Sequence, residues 1–112
     1  MATSTFKNFS VENVTTSSTD VFDAPATANH EYILFSMIIA NITTATAKID
    51  LTLTDNSAST TINLLEDVPI AEGSTLVFDK PIVLEPSDSL DAVSDTANAF
   101  DVHISYVDRD TS

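Results

Sequence analysis

Few groups in this 112-residue sequence could do chemistry: two histidines, 17 Asp and Glu, four Lys and Arg, and no cysteine. A histidine becomes a general base or a metal ligand when a carboxylate, a nucleophile or a second histidine meets it in space. His30 stands in Asn29-His-Glu-Tyr32 and His103 in Asp101-Val-His-Ile104, and nothing in their spacing predicts such a meeting. No His-x-His, His-Glu-x-x-His or Gly-x-Ser-x-Gly occurs, and the single glycine cannot build a phosphate-cradling loop. Thiol nucleophiles, disulfide frameworks, iron–sulfur clusters and Cys-based zinc sites are excluded by the lack of cysteine. No catalytic, cofactor-binding or metal-ligating residue is therefore assigned, and the chain is expected not to be an enzyme and to need no cofactor.

The carboxylates gather at Asp20/Asp23, Glu66-Asp67, Asp88/Asp91/Asp95 and Asp101/Asp108/Asp110, groupings from which loops can assemble a Ca²⁺ site. None has the spacing of an EF-hand loop, and the plainer reading is a solvated acidic surface. The net charge of −13 opposes the phosphate neutralisation on which nucleic-acid affinity depends, so nucleic acid and anionic membranes are not expected as direct partners. No apolar run approaches the length of a bilayer span, and the opening Met1-Ala-Thr-Ser-Thr-Phe-Lys7 lacks the layout of an export signal. A soluble protein is the expectation.

The elements that would position these groups read as strands. Ser and Thr make up about a quarter of the chain, a composition that favours strands and turns over helices. In Lys48-Ile-Asp-Leu-Thr-Leu-Thr54, Ile49, Leu51 and Leu53 take one face and the polar residues the other, the period-two mark of a half-buried strand. Turn residues at Asp55-Asn-Ser-Ala-Ser59 predict a hairpin with Thr60-Thr-Ile-Asn-Leu-Leu65. Phe100, Val102, Ile104 and Tyr106 share a face of a last strand. Tyr32 to Ile42 is apolar on both faces, as in a central strand covered on one side by its own domain and on the other by a neighbouring subunit. Val68 to Thr75 reads as a tight connection, with Gly73 placed where positive φ is needed. Short strands follow at Leu76–Phe78, Ile82–Leu84 and Leu90–Val93, and weaker ones precede at Thr5–Val14 and Asp20–Asp23.

Eight to nine strands with no crossover helix predict an all-β chain, an antiparallel β-sandwich of immunoglobulin-like or jelly-roll type. Periodicity leaves those two strand orders open. The expected division is an N-terminal arm and first strand over 1–18 and a sandwich domain over 19–112. Most aromatic residues fall on alternating positions and suit a core. Phe6 and Phe9, with Val11, suit partner docking from the arm instead, and Ile38, Ile39 and Ile42 suit a core or a subunit interface.

Val68-Pro-Ile-Ala-Glu-Gly-Ser-Thr-Leu76, followed by Ile82-Val-Leu-Glu-Pro-Ser-Asp-Ser-Leu90 and a final alternating strand, resembles the small structural proteins of tailed bacteriophages. The resemblance covers about a quarter of the chain, Asn63 to Leu90. It implies a virion component built as a β-sandwich. The first expectation is a capsid decoration (cement) protein on the outer capsid surface, forming a homo-oligomer with a trimer favoured, whose partner is the major capsid protein or another virion protein. A neck, tail or baseplate component is the alternative, and a small carbohydrate- or Ca-binding lectin-like module a further one.

Overall fold

A computed structural model describes residues 3–112 as nine strands, β1 (Thr3–Val14), β2 (Thr19–Asp23), β3 (His30–Asn41), β4 (Ala47–Asp55), β5 (Thr60–Ile70), β6 (Thr75–Phe78), β7 (Ile82–Leu84), β8 (Ser89–Ser94) and β9 (Phe100–Asp110). Of the segment 1–18, Met1 and Ala2 lie outside the described residues.

All pairings are antiparallel and divide the strands between two sheets. One runs β1-β9-β3-β6, with β7 also on β3; the other runs β2-β8-β4-β5. If β6 and β7 count as one interrupted strand, the chain pairs first with last, second with second-to-last, and so on inward to the β4–β5 hairpin. This nested wrapping is the jelly-roll order, and it resolves what periodicity left open.

The core is what the alternation promised. Ile49 and Leu51 of β4 face Leu34, Met37 and Ile39 of β3 and Phe100 and Ile104 of β9 within one buried cluster, closed by Val14, Val21, Leu84 and Leu90. Ile39 is 0% exposed and lies in this cluster, the core alternative of the two expected for it, because its place on β3 turns it between the sheets. The tight connection expected over 68–75 is also shorter than read. β5 continues through Pro69, which pairs with Lys48, and the turn begins only at Ala71. Proline is tolerated there because β5 is an edge strand, where a missing N–H costs no ladder bond on the open side.

Turns and strand irregularities supply left-handed backbone with little glycine. Gly73 has φ 66°, as its place in the sequence predicts, while Asn13, Asn29, Ser59, Asp67, Ser87 and Asn98 also adopt positive φ. Asn and Asp reach this region at reduced cost because their short side chains bond locally.

Candidate functional site

Register fixes which side chains share the outer face of the β1-β9-β3-β6/β7 sheet. One row crosses it as Phe6, Val107, Ile33 and Val83. A second crosses as Ser10, His103, Ile38 and Val77. Between them a bulge in β3 shifts the register from Leu34 to Ser36 at Phe35, whose ring stands edge-on to Phe6 at 6.1 Å. Phe6 is 82% exposed, Val77 58%, Val83 55%, Phe35 42% and Ile38 40%. In a chain of net charge −13 these rows contain no carboxylate. Charge returns at the margins, in the Arg109–Glu31 ion pair (3.2 Å) at one end and in Glu12 and Asp101 at the other. The result is an apolar strip with a charged rim, the pattern of a protein-binding surface.

Six residues were expected to meet a partner, and the structure separates them. Phe6 and Ile38 share the outer face. Phe9 and Val11 project to the opposite side of β1, where Phe9 stacks edge-on against Phe22 (6.1 Å) and Val11 packs against the core. Ile39 is core, and Ile42 lies just beyond β3, half exposed, with its N–H donated to the Ala99 carbonyl (2.9 Å). Sequence reading missed Phe35, Val77 and Val83. Phe35 follows the alternation of its own half of β3, outward with Ile33 while Tyr32 and Leu34 point inward, and the valines join the face only through their pairing with β3.

Both histidines have partners that the sequence did not reveal. Ser10 Oγ and His103 Nδ1 lie 2.7 Å apart on the outer face, beside a depression of about 250 Å³ lined also by Glu12, Ile38, Ala40 and Asp101. His30 Nδ1 lies 2.8 Å from Asp108 Oδ1, and Lys7 Nζ 3.0 Å from Asp108 Oδ2, tying β1, β3 and β9 together. Burial works to raise the Asp108 carboxyl, but the hydrogen bonds to His30 and Lys7 and their charges outweigh it and hold the group below its usual range. Register places Ser10 and His103 on one side of the sheet and His30 and Asp108 on the other. The hydroxyl–imidazole pair and the imidazole–carboxylate pair therefore do not combine into a nucleophile–base–acid relay.

A second cavity of about 240 Å³ opens between the sheets beside Lys7, Phe9, Phe22, Asp23, Pro25, Tyr32, Tyr106 and Asp108. Its rings pack mainly on one another, Phe22 against Tyr106 at 4.8 Å and against Tyr32 at 6.0 Å.

Two acidic groupings form. Across the β2–β8 pair Asp20 faces Asp91. Burial, a hydrogen bond to Asp20 and the charges of Asp20 and Asp23 push the Asp91 carboxyl up to about 6. Elsewhere Asp55, Glu85 and Asp88 bring carboxylate oxygens within 4.8 Å of one another. The buried Asp88 uses both oxygens to accept backbone N–H groups, from Asn56 (2.9 Å) and Glu85 (2.9 Å), and Asp55 accepts from Ser57 Oγ and Ala58 N. These carboxylates staple loops.

No protein-family model matches the chain, and no curated protein matches it in sequence. Solved structures do match in fold. A chain of the Bacillus endospore appendages, a family of disulfide-linked pili, superposes with a TM-score of 0.59 at 14% identity, over 99% of this chain and 90% of that one. A chain of the acid-stable capsid of Helicobacter pylori bacteriophage KHP30 gives 0.60 at 12%, over 100% and 95%. A chain of infectious bursal disease virus (Gx strain) gives 0.55 at 8%, over 99% of this chain and only 36% of its own length. The jelly roll seen here is thus one that also builds pili and viral capsids.

Proposed function

We propose that this chain is a non-enzymatic structural protein of a bacteriophage virion, a capsid decoration protein that binds the outer capsid surface and stabilises the shell. The observation that carries this reading is the charge-free apolar face of Phe6, Ile33, Phe35, Ile38, Val77 and Val83 on a strongly acidic body. The KHP30 likeness supports it further. This chain spans 95% of that capsid chain, so the same fold at nearly the same length occurs in a phage shell. The partner is the major capsid protein or another virion protein, and the contribution comes by mass action. A protein that binds only the assembled shell makes subunit loss costlier, by about 2.7 kcal/mol per site at a hundredfold excess over its dissociation constant.

The test is binding of the purified protein to assembled capsids, with Phe6→Asp/Val77→Asp as the variant. Both residues are exposed, so the double substitution leaves thermal unfolding nearly unchanged. It is expected to weaken capsid binding at least a hundredfold; undiminished binding overturns the assignment of the face. Copy number in native particles separates locations. Stoichiometry with the capsid subunits supports decoration, whereas a single ring's worth of copies places the protein in the neck, tail or baseplate. Native mass decides whether copies form the trimer expected from the sequence.

A further inference from the structure

We propose that β1 is a docking edge for the β1 strand of a second copy, the two strands running antiparallel about a twofold axis so that two five-stranded sheets join into one. An exposed edge strand offers a row of unpaired N–H and C=O groups, and proteins that stay monomeric blunt such edges with prolines, charges, bulges or brevity. Three of the four edges here are blunted. The β6/β7 edge is interrupted by Asp79-Lys-Pro81. β2 has five residues and a register shift between Asp20 and Phe22. β5 carries two register shifts, Pro69 and the adjacent acids Glu66 and Asp67. β1 has none of these over its central length. From Thr3 to Val11 it keeps unbroken register with β9, contains no proline, and its only cation, Lys7, is held by Asp108.

Charge selects the occupant. Each copy carries −13, so two copies repel wherever their acidic surfaces approach. Of the four edges, β1 and β6/β7 escape this, and β1, with one Lys (Lys7), one Glu (Glu12) and no net charge, is the one left unblunted. Antiparallel alignment about Phe9 or about Ser10 keeps residues of one face opposite residues of the same face and brings no net charge to the seam. A basic partner would find a better surface almost anywhere else on the molecule. Twofold pairing about an axis normal to the sheet keeps like faces on one side, so the two apolar outer faces become a single surface. Phe6, the most exposed large apolar residue among those described, then lies next to the seam and gains a neighbour on its open side.

The inference does not depend on which particle, if any, carries the chain, and its test needs no capsid. Light scattering of the isolated protein is expected to give twice 12.0 kDa at high concentration, falling towards the monomer on dilution. Because the chain has no cysteine, single introduced thiols report geometry cleanly. Asn8→Cys and Ser10→Cys, both exposed on β1, are expected to cross-link in dimers with a short bis-maleimide, and Val77→Cys on β6 is not. A monomer at every concentration, a trimer, or cross-linking strongest at Val77→Cys overturns the proposal.

Discussion

At the scale of single residues, the acidic surface is not uniform in its chemistry. Most of its carboxylates are solvated, but Asp91 sits against Asp20 across the β2–β8 pair and is pushed up to about 6, burial being the largest cause. Its folded value lies above the unfolded one of about 3.9. The native state therefore holds a proton that the unfolded chain releases, and the stability this contributes is present below the unfolded value and lost as pH rises through 6. Asp91→Asn keeps the hydrogen bond to Asp20 and removes the charge. It is expected to raise the melting temperature at pH 7.5 by a few degrees, on the order of 1 kcal/mol after allowing for partial solvent exposure, and to change it little at pH 4. Melting curves of both proteins at the two pH values check this, and an equal shift at both would assign the effect to packing. Asp88, three residues earlier in sequence, shows the opposite use of the same group, with both oxygens committed to backbone N–H donors. Nothing in the spacing of Asp88, Asp91 and Asp95 distinguishes the staple from the strained pair, because burial and partners come from other strands.

At the scale of elements, the alternation in Lys48–Thr54 and Phe100–Tyr106 was legible because a half-buried strand writes its two environments directly into the sequence. The short strands at Leu76–Phe78 and Ile82–Leu84 were legible from the Asp79-Lys-Pro81 break between them. What could not be read was non-local. Only pairing shows that β9 lies between β1 and β3, that the wrapping is a jelly roll, and that a bulge resets β3 so that Met37 and Ile39 point inward and Ile38 outward. The candidate site split for a local reason, since Phe6 and Phe9 stand three apart in one strand and alternation puts them on opposite sides of β1. Turns add a further reading. Gly73 was legible as a left-handed position, whereas Ser87, at φ 70°, was not, because Ser has no special ease there. Ser87→Gly removes that cost and is expected to stabilise the fold by about 1 kcal/mol, less the entropy glycine adds to the unfolded chain. Urea unfolding measures it, and a lower midpoint would show that the Ser87 side chain contributes something its backbone conformation does not reveal.

At the scale of the molecule, −13 charges surround an uncharged strip and a neutral edge. Like-charged bodies that meet through apolar contacts associate better when salt screens the remainder, the screening length falling from about 30 Å at 0.01 M to about 8 Å at 0.15 M. Association of copies is therefore expected to tighten over that range. Sedimentation at the two ionic strengths checks it, and loosening with salt would mean that opposite charges, not the strip and the edge, hold the contact.

The position of β9 has a consequence for biosynthesis. It is the last of the nine strands to leave the ribosome, yet it is the inner neighbour of both β1 and β3. Until it emerges, those two have nothing to bridge them, so the nascent chain has to wait, with apolar ribbons uncovered, for this ninth strand. Premature termination before Phe100 would leave a product that holds both halves of a seam and lacks the thread.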